Sequence, residues 1–124
     1  MTVAKPTRIL IVDDHAMVRA GLRACLSTGA GFEVVAEAGS GMEALGLVPS
    51  VAPDLMLVDL SMKDMDGFEL TAAVAKQYPA VRVLVLSMHD KPQFVRRARE
   101  AGAHGYVSKS APAAVTLAAA ATVT

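Results

Sequence analysis

The chain has one cysteine, Cys25, so no internal disulfide can form and a reducing compartment is expected. Neither sign of charge is in excess, with 12 basic residues against 12 acidic ones. A domain that grips the nucleic-acid backbone carries a basic surplus, so direct nucleic-acid binding is not expected. Long hydrophobic runs are missing as well. None approaches the ~18 residues that a membrane span requires, and Met1 to Thr7 has no apolar signal core. A cytoplasmic domain without membrane association is the expectation. The 124 residues suit one domain, 1–124, with a core of its own and no output domain inside it.

What the chain does have is a series of short apolar runs, the first and third ending in acid. Leu55-Met56-Leu57-Val58 leads directly into Asp59, with Pro53 before it and Gly67 after. An apolar run without alternation, bounded by turn residues, reads as a strand buried on both faces. Asp59 then stands at the carboxyl end of a central strand, where open α/β sheets bind their ligands.

The other runs repeat the theme. Ile9-Leu10-Ile11-Val12 ends in Asp13-Asp14, Val83-Leu84-Val85-Leu86 in Ser87, and Gly105-Tyr106-Val107-Ser108 in Lys109. Glu33 to Glu37 is a short second strand whose flanking acids suit a sheet edge. Helices are expected between the strands. The first covers Met17 to Leu26, with Val18, Leu22, Cys25 and Leu26 inward, Cys25 as a buried inert thiol, and Ser27 to Gly31 stopping it. The second opens on the capping box Ser40-Gly41-Met42-Glu43 and ends near Val48, because Pro49 should not continue it. The third starts at Asp66-Gly67 and reaches Gln77 or Tyr78. The fourth starts at Pro92 and ends at Gly102, with Lys91, Arg96, Arg97 and Arg99 as a basic face. The last, opened by Pro112, holds no charged residue, which is unusual for an outer helix and leaves cover by a partner chain as one explanation.

Strands and helices therefore alternate five times, the pattern of an α/β fold with a parallel sheet and helices on both faces. Right-handed crossovers favour the flavodoxin-like (CheY-like) strand order 2-1-3-4-5. In that order Asp13, Asp14, Asp59, Ser87 and Lys109 converge on one rim. Three carboxylates so close repel one another, and a hard divalent ion, Mg²⁺ or Mn²⁺, would compensate. Carboxylates, a cation, a lysine and a hydroxyl around one oxygen nucleophile make a phosphoryl-transfer site, with Asp59 attacking phosphorus to become an aspartyl phosphate.

In these motifs the sequence resembles the receiver domain of two-component response regulators. The carriers are Ile-Val-Asp13-Asp14-His15, Leu-Val-Asp59-Leu-Ser-Met62, Val-Leu-Ser87-Met-His and Gly105-Tyr106-Val-Ser-Lys109. Asp14-His15 together with Leu86-Ser87-Met88-His89 is similar to receivers of the NarL/LuxR class, which precede a DNA-binding domain. The resemblance implies that Asp59 takes phosphate from a sensor histidine kinase and that the domain is not an enzyme in the turnover sense. It implies a metal held by Asp13, Asp14, Asp59 and the Ser61 carbonyl, with Lys109 pairing to the phosphate. Ser87 and Tyr106 would form the switch, read out through the fourth helix, fifth strand and fifth helix. A homodimer would use that face or the region of the first and fifth helices.

Two departures modify this expectation. Lys63 stands where the family often has proline, which loosens the loop after Asp59, and Met88 is larger than the usual residue after Ser87. Met88 and His89 are expected at the rim, with Met88 narrowing access to the phosphoryl group and altering its lifetime. His15, His89 and His104 are too scattered to suggest a zinc site. Two rival functions are a receiver-like binding module that works without phosphorylation and a flavin (FMN) electron carrier of the same fold. The latter needs a phosphate cradle after the first strand, where this chain has two acids.

Overall fold

The computed structural model describes residues 5–29 and 31–124. Ala30, within the turn expected after the first helix, and residues 1–4, at the front of the segment read for a signal core, lie outside the described residues. Five strands and five helices alternate: β1 (Thr7–Val12), α1 (Ala16–Ser27), β2 (Phe32–Ala38), α2 (Gly41–Val51), β3 (Leu55–Asp59), α3 (Gly67–Gln77), β4 (Arg82–Ser87), α4 (Pro92–Ala101), β5 (Gly105–Ser108) and α5 (Ala113–Val123). The strands form one parallel sheet in the order β2-β1-β3-β4-β5, as the alternation predicts. No described helix is long and apolar enough to cross a membrane.

Two cores flank the sheet because successive strand side chains point to opposite faces. Ile9, Ile11, Leu55, Leu57, Leu84 and Leu86 pack with Leu26 of α1 and Ala120 of α5. Leu10, Val12, Met56, Val58, Val83 and Val85 pack on the other side with α2, α3 and α4. Every residue of β3 is buried. That explains its unbroken apolar run, and it leaves Asp59 as the one charged group at the strand's end.

Two local expectations change. Helix α2 runs past Pro49 to Val51. The missing proline amide forfeits one bond in the last turn, but Ala52, left-handed at φ 45°, returns its amide to the Val48 carbonyl at 2.9 Å. Arg8 completes the cap, its guanidinium donating to the Val51 carbonyl at 2.6 Å and the Ala52 carbonyl at 3.4 Å. Cys25 is half-buried, with its sulfur 3.9 Å from the Ala113 carbonyl at the border of α1 and α5, rather than sealed in the core. Lys91, Arg96, Arg97 and Arg99 are all exposed, and Arg97 also lies over the Phe68 ring, 4.1 Å from its centroid.

A candidate phosphoryl and metal site at the carboxyl rim

Parallel pairing brings the ends of β1, β3, β4 and β5 to one rim, and each end delivers a polar residue. Asp13 follows β1 and is 2% exposed; Asp59 closes β3 and is 4% exposed. Lys109, just past β5, donates from Nζ to Asp13 Oδ2 at 3.0 Å and lies 3.0 Å from Asp59 Oδ1. One ammonium thus bridges two buried carboxylates. The third, Asp14, has its Oδ1 buried without a hydrogen-bond partner among the described residues. The His15 Nδ1 stands 2.9 Å from that oxygen, in a contact that does not meet hydrogen-bonding geometry.

The neighbouring elements hold these groups in place. Asp13 returns its amide to the Ala38 carbonyl of β2 at 3.1 Å, and its Oδ1 accepts the His15 amide at 2.9 Å. Arg19 of α1 donates to the Asp13 carbonyl at 2.6 Å and is itself held by Glu37 at 3.2 Å. Arg23 takes the other Glu37 oxygen at 2.7 Å, so the edge acid expected only to guard β2 anchors the rim. Asp59 Oδ1 accepts the Ser61 amide at 3.2 Å. Gly67 lets α3 start against β3: a Cβ there would lie 2.7 Å from the Asp59 carbonyl and from Leu60 Cα.

Electrostatics follow from this crowding. Burial, aided by the Asp13 charge, raises the Asp59 carboxyl above its ordinary range, although Lys109 and the Ser61 amide pull the other way. Burial alone would lower Lys109. Its hydrogen bonds to Asp13 and Asp59 and their charges outweigh that, so the ammonium is held above the usual lysine range. The rim therefore favours the charged form of Lys109 and disfavours that of Asp59.

The residues expected as switch and rim, Ser87, Tyr106, Met88 and His89, sit beside this cluster. Ser87 is buried; its hydroxyl accepts the His89 amide at 2.9 Å and its carbonyl accepts the Lys109 amide at 2.8 Å. The Tyr106 hydroxyl donates to the His89 carbonyl at 2.5 Å, tying β5 to the loop after β4. The His89 ring stacks on Phe94, 4.6 Å between centroids. Met88 is 68% exposed and lines a cavity of about 520 Å³ with Lys109, His15, Leu86, Leu22 and Val18.

One residue here had no signal in the sequence. Asp64 accepts the Gly41 amide at 3.2 Å and the Met42 amide at 3.1 Å, tying the loop after β3 to the start of α2. Those bonds lower its carboxyl below the ordinary range. The looseness expected from Lys63 is thus opposed by an acid one residue later. The partner amides lie more than twenty residues away, so no local pattern could reveal the tie.

Comparison with known proteins agrees with this geometry. The response regulator receiver domain model matches residues 9–121. The chain is 43% identical over 106 residues to the response regulator protein VraR of Staphylococcus aureus, a match covering 86% of the chain and 51% of VraR. It spans about half the length of the curated relatives it matches. Among solved structures, the signal receiver domain of the Mycobacterium tuberculosis response regulator NarL is 34% identical with a TM-score of 0.90, covering 96% of both chains. A LuxR-family two-component response regulator from Aurantimonas is 37% identical with a TM-score of 0.91, over 96% of this chain and 85% of that one. By sequence motif, strand order and rim geometry alike, the chain belongs to the response regulator receiver domain family.

Proposed function

We propose that Asp59 accepts a phosphoryl group from the phosphohistidine of a sensor histidine kinase. The observation that carries this is the Lys109 bridge between Asp13 and Asp59 beside the unpartnered Asp14 Oδ1. Lys109 and the Ser61 amide both use Asp59 Oδ1, which leaves Oδ2 as the nucleophile. Its attack forms the O–P bond as the N–P bond to the kinase histidine breaks, and Lys109 then moves its charge onto the phosphoryl oxygens.

The donor set suits a hard cation. Asp13, Asp14 and Asp59 offer carboxylate oxygens within 4.8 Å of one another, and the orphaned Asp14 oxygen lacks only a positive partner. These three and the Ser61 carbonyl would hold Mg²⁺ or Mn²⁺, which when bound supplies charge neutralisation for the transferred group. Ser87 gives its hydroxyl to a phosphoryl oxygen in place of the His89 amide, and Tyr106 turns inward, releasing the His89 carbonyl. The α4–β5–α5 face then reports the change, either to a DNA-binding domain in the longer protein or through a homodimer formed there or at α1 and α5. The domain, 1–124, works in the cytoplasm as an acceptor that catalyses its own phosphorylation and hydrolysis.

Incubation with acetyl phosphate and Mg²⁺, read by intact mass, tests this. Wild type gains one phosphoryl adduct and Asp59→Asn gains none. An unmodified wild type would instead make the domain a binding module independent of phosphorylation. The flavin carrier is not favoured by the family match, and the acids after β1 oppose a flavin phosphate. Met88, exposed at the mouth of the cavity beside Lys109, screens the phosphoryl group from water. Met88→Ala is expected to shorten the adduct's half-life, and equal half-lives would reject that role.

A further inference from the structure

Of the three histidines, the structure brings only His15 to the acidic cluster. Its Nδ1 is hydrogen-bonded to Asp13 Oδ1 at 3.2 Å and lies 2.9 Å from Asp14 Oδ1, and one donor atom each from Asp13, Asp14, His15 and Asp59 fit within 4.8 Å. These separations have a geometric meaning. Two ligands at right angles, each ~2.1 Å from one ion, are ~3.0 Å apart. The imidazole nitrogen therefore stands from each of the two carboxylate oxygens at the separation of adjacent corners of a coordination shell. Asp14 Oδ1 is buried with no hydrogen-bond partner among the described residues, so its contact with Nδ1, unlike that of Asp13, is not a hydrogen bond. The His15 ring is 66% exposed and caps nothing, since no side-chain bond to the start of α1 is formed.

We propose that His15 is an additional ligand that widens the rim's metal preference from hard cations to first-row transition ions. The proposal rests on the reading of Asp13, Asp14 and Asp59 as the metal ligands. Oxygen-only sites suit Mg²⁺ and Mn²⁺, whereas an added imidazole suits Ni²⁺, Co²⁺ and Zn²⁺, which also stand higher in intrinsic affinity. A receiver so equipped answers to the transition-ion supply as well as to its kinase. An ion held through nitrogen at His15 occupies the rim that Mg²⁺ would otherwise fill.

Calorimetry of the whole chain with MgCl₂ and with NiCl₂, on wild type and His15→Ala, tests the assignment. His15→Ala removes no cap and only an exposed ring's hydrogen bond to Asp13, so the fold is expected to be retained. Wild type is expected to bind Ni²⁺ roughly tenfold or more tighter than His15→Ala, in line with the ~10–100-fold typical of groups around a metal. Mg²⁺ affinity should be equal in the two proteins. Spin-echo spectroscopy of bound Cu²⁺, another ion that imidazole suits, should show coupling to an imidazole nitrogen in wild type and none in His15→Ala. Equal Ni²⁺ affinities, or no nitrogen coupling in wild type, would overturn the proposal while leaving the Mg²⁺ site standing. Failure of wild type to bind Mg²⁺ or Ni²⁺ would overturn the metal reading itself.

Discussion

At the amino-terminal end of the sheet, Arg8 and Asp54 satisfy one another. The Arg8 amide donates to Asp54 Oδ2 at 2.9 Å, the Asp54 amide returns to the Arg8 carbonyl at 2.8 Å, and Arg82 donates to the Asp54 carbonyl at 2.9 Å. At the carboxyl end, one lysine serves two of three carboxylates, and a buried oxygen of the third, Asp14, has no hydrogen-bond partner among the described residues. Strands β1, β3 and β4 pass through both ends, so strand propensity does not separate them. What separates them is completeness. The end whose polar groups are paired serves stability, and the end whose charges are unbalanced is ready to receive something charged.

Lys109→Met should break this comparison most strongly. It leaves Asp13 and Asp59 buried without a counter-charge and is expected to lower stability by about 3 kcal/mol in chelator-treated buffer, with much of the loss recovered in excess MgCl₂. Urea titrations with and without Mg²⁺ check it, and a loss insensitive to Mg²⁺ would refute the account. Because the folded-state pKa of Lys109 is raised, its contribution is present at neutral pH. It fades only as pH rises past the ordinary lysine value of ~10.4.

Arg8→Ala acts at the satisfied end. Removing its bonds to the Val51 and Ala52 carbonyls should destabilise the chain by about 1–2 kcal/mol, equally with and without Mg²⁺. Asp59→Asn should have the opposite sign and a smaller size. The charged Asp59 is disfavoured in the fold, so the neutral amide is expected to stabilise by about 1 kcal/mol at neutral pH without metal. That gain shrinks as pH falls through the raised Asp59 range, where wild type takes up the proton itself; melting temperatures across pH show whether it does.

The smallest expected effect is at Asp64. Asp64→Ala should leave the fold intact but speed amide hydrogen exchange at Gly41, Met42 and residues 61–66. Unchanged exchange there would show that the tie to α2 is not what orders the loop after Asp59.

Much of this was legible in the chain. Runs such as Leu55 to Val58 give a buried strand because a parallel sheet covered on both faces has no use for alternation. Asp66 and Ser40 do cap their helices, each accepting an amide three residues on. Glu43 departs from the usual box by reaching the Gly39 amide at 2.6 Å. The continuation of α2 through Pro49 was not legible, because it depends on Arg8, more than forty residues away. Nor was the register shift between Ile9 and Leu10 against β2, which inserts Val35 and turns on how two strands meet.

By itself the amino-acid order determined which residues end β1, β3, β4 and β5, since local apolar periodicity and turn chemistry depend only on neighbours along the chain. It thereby determined that acids, a hydroxyl and a lysine would gather at one rim of a parallel sheet. Only the tertiary structure decided how that rim is wired: which oxygens Lys109 bridges, that Glu37 and Arg19 hold Asp13, that Asp64 ties the loop, and that His15 alone of the histidines faces the carboxylates. Those are contacts between distant segments at distances of about three ångströms, and they exist only once the sheet has brought the segments together.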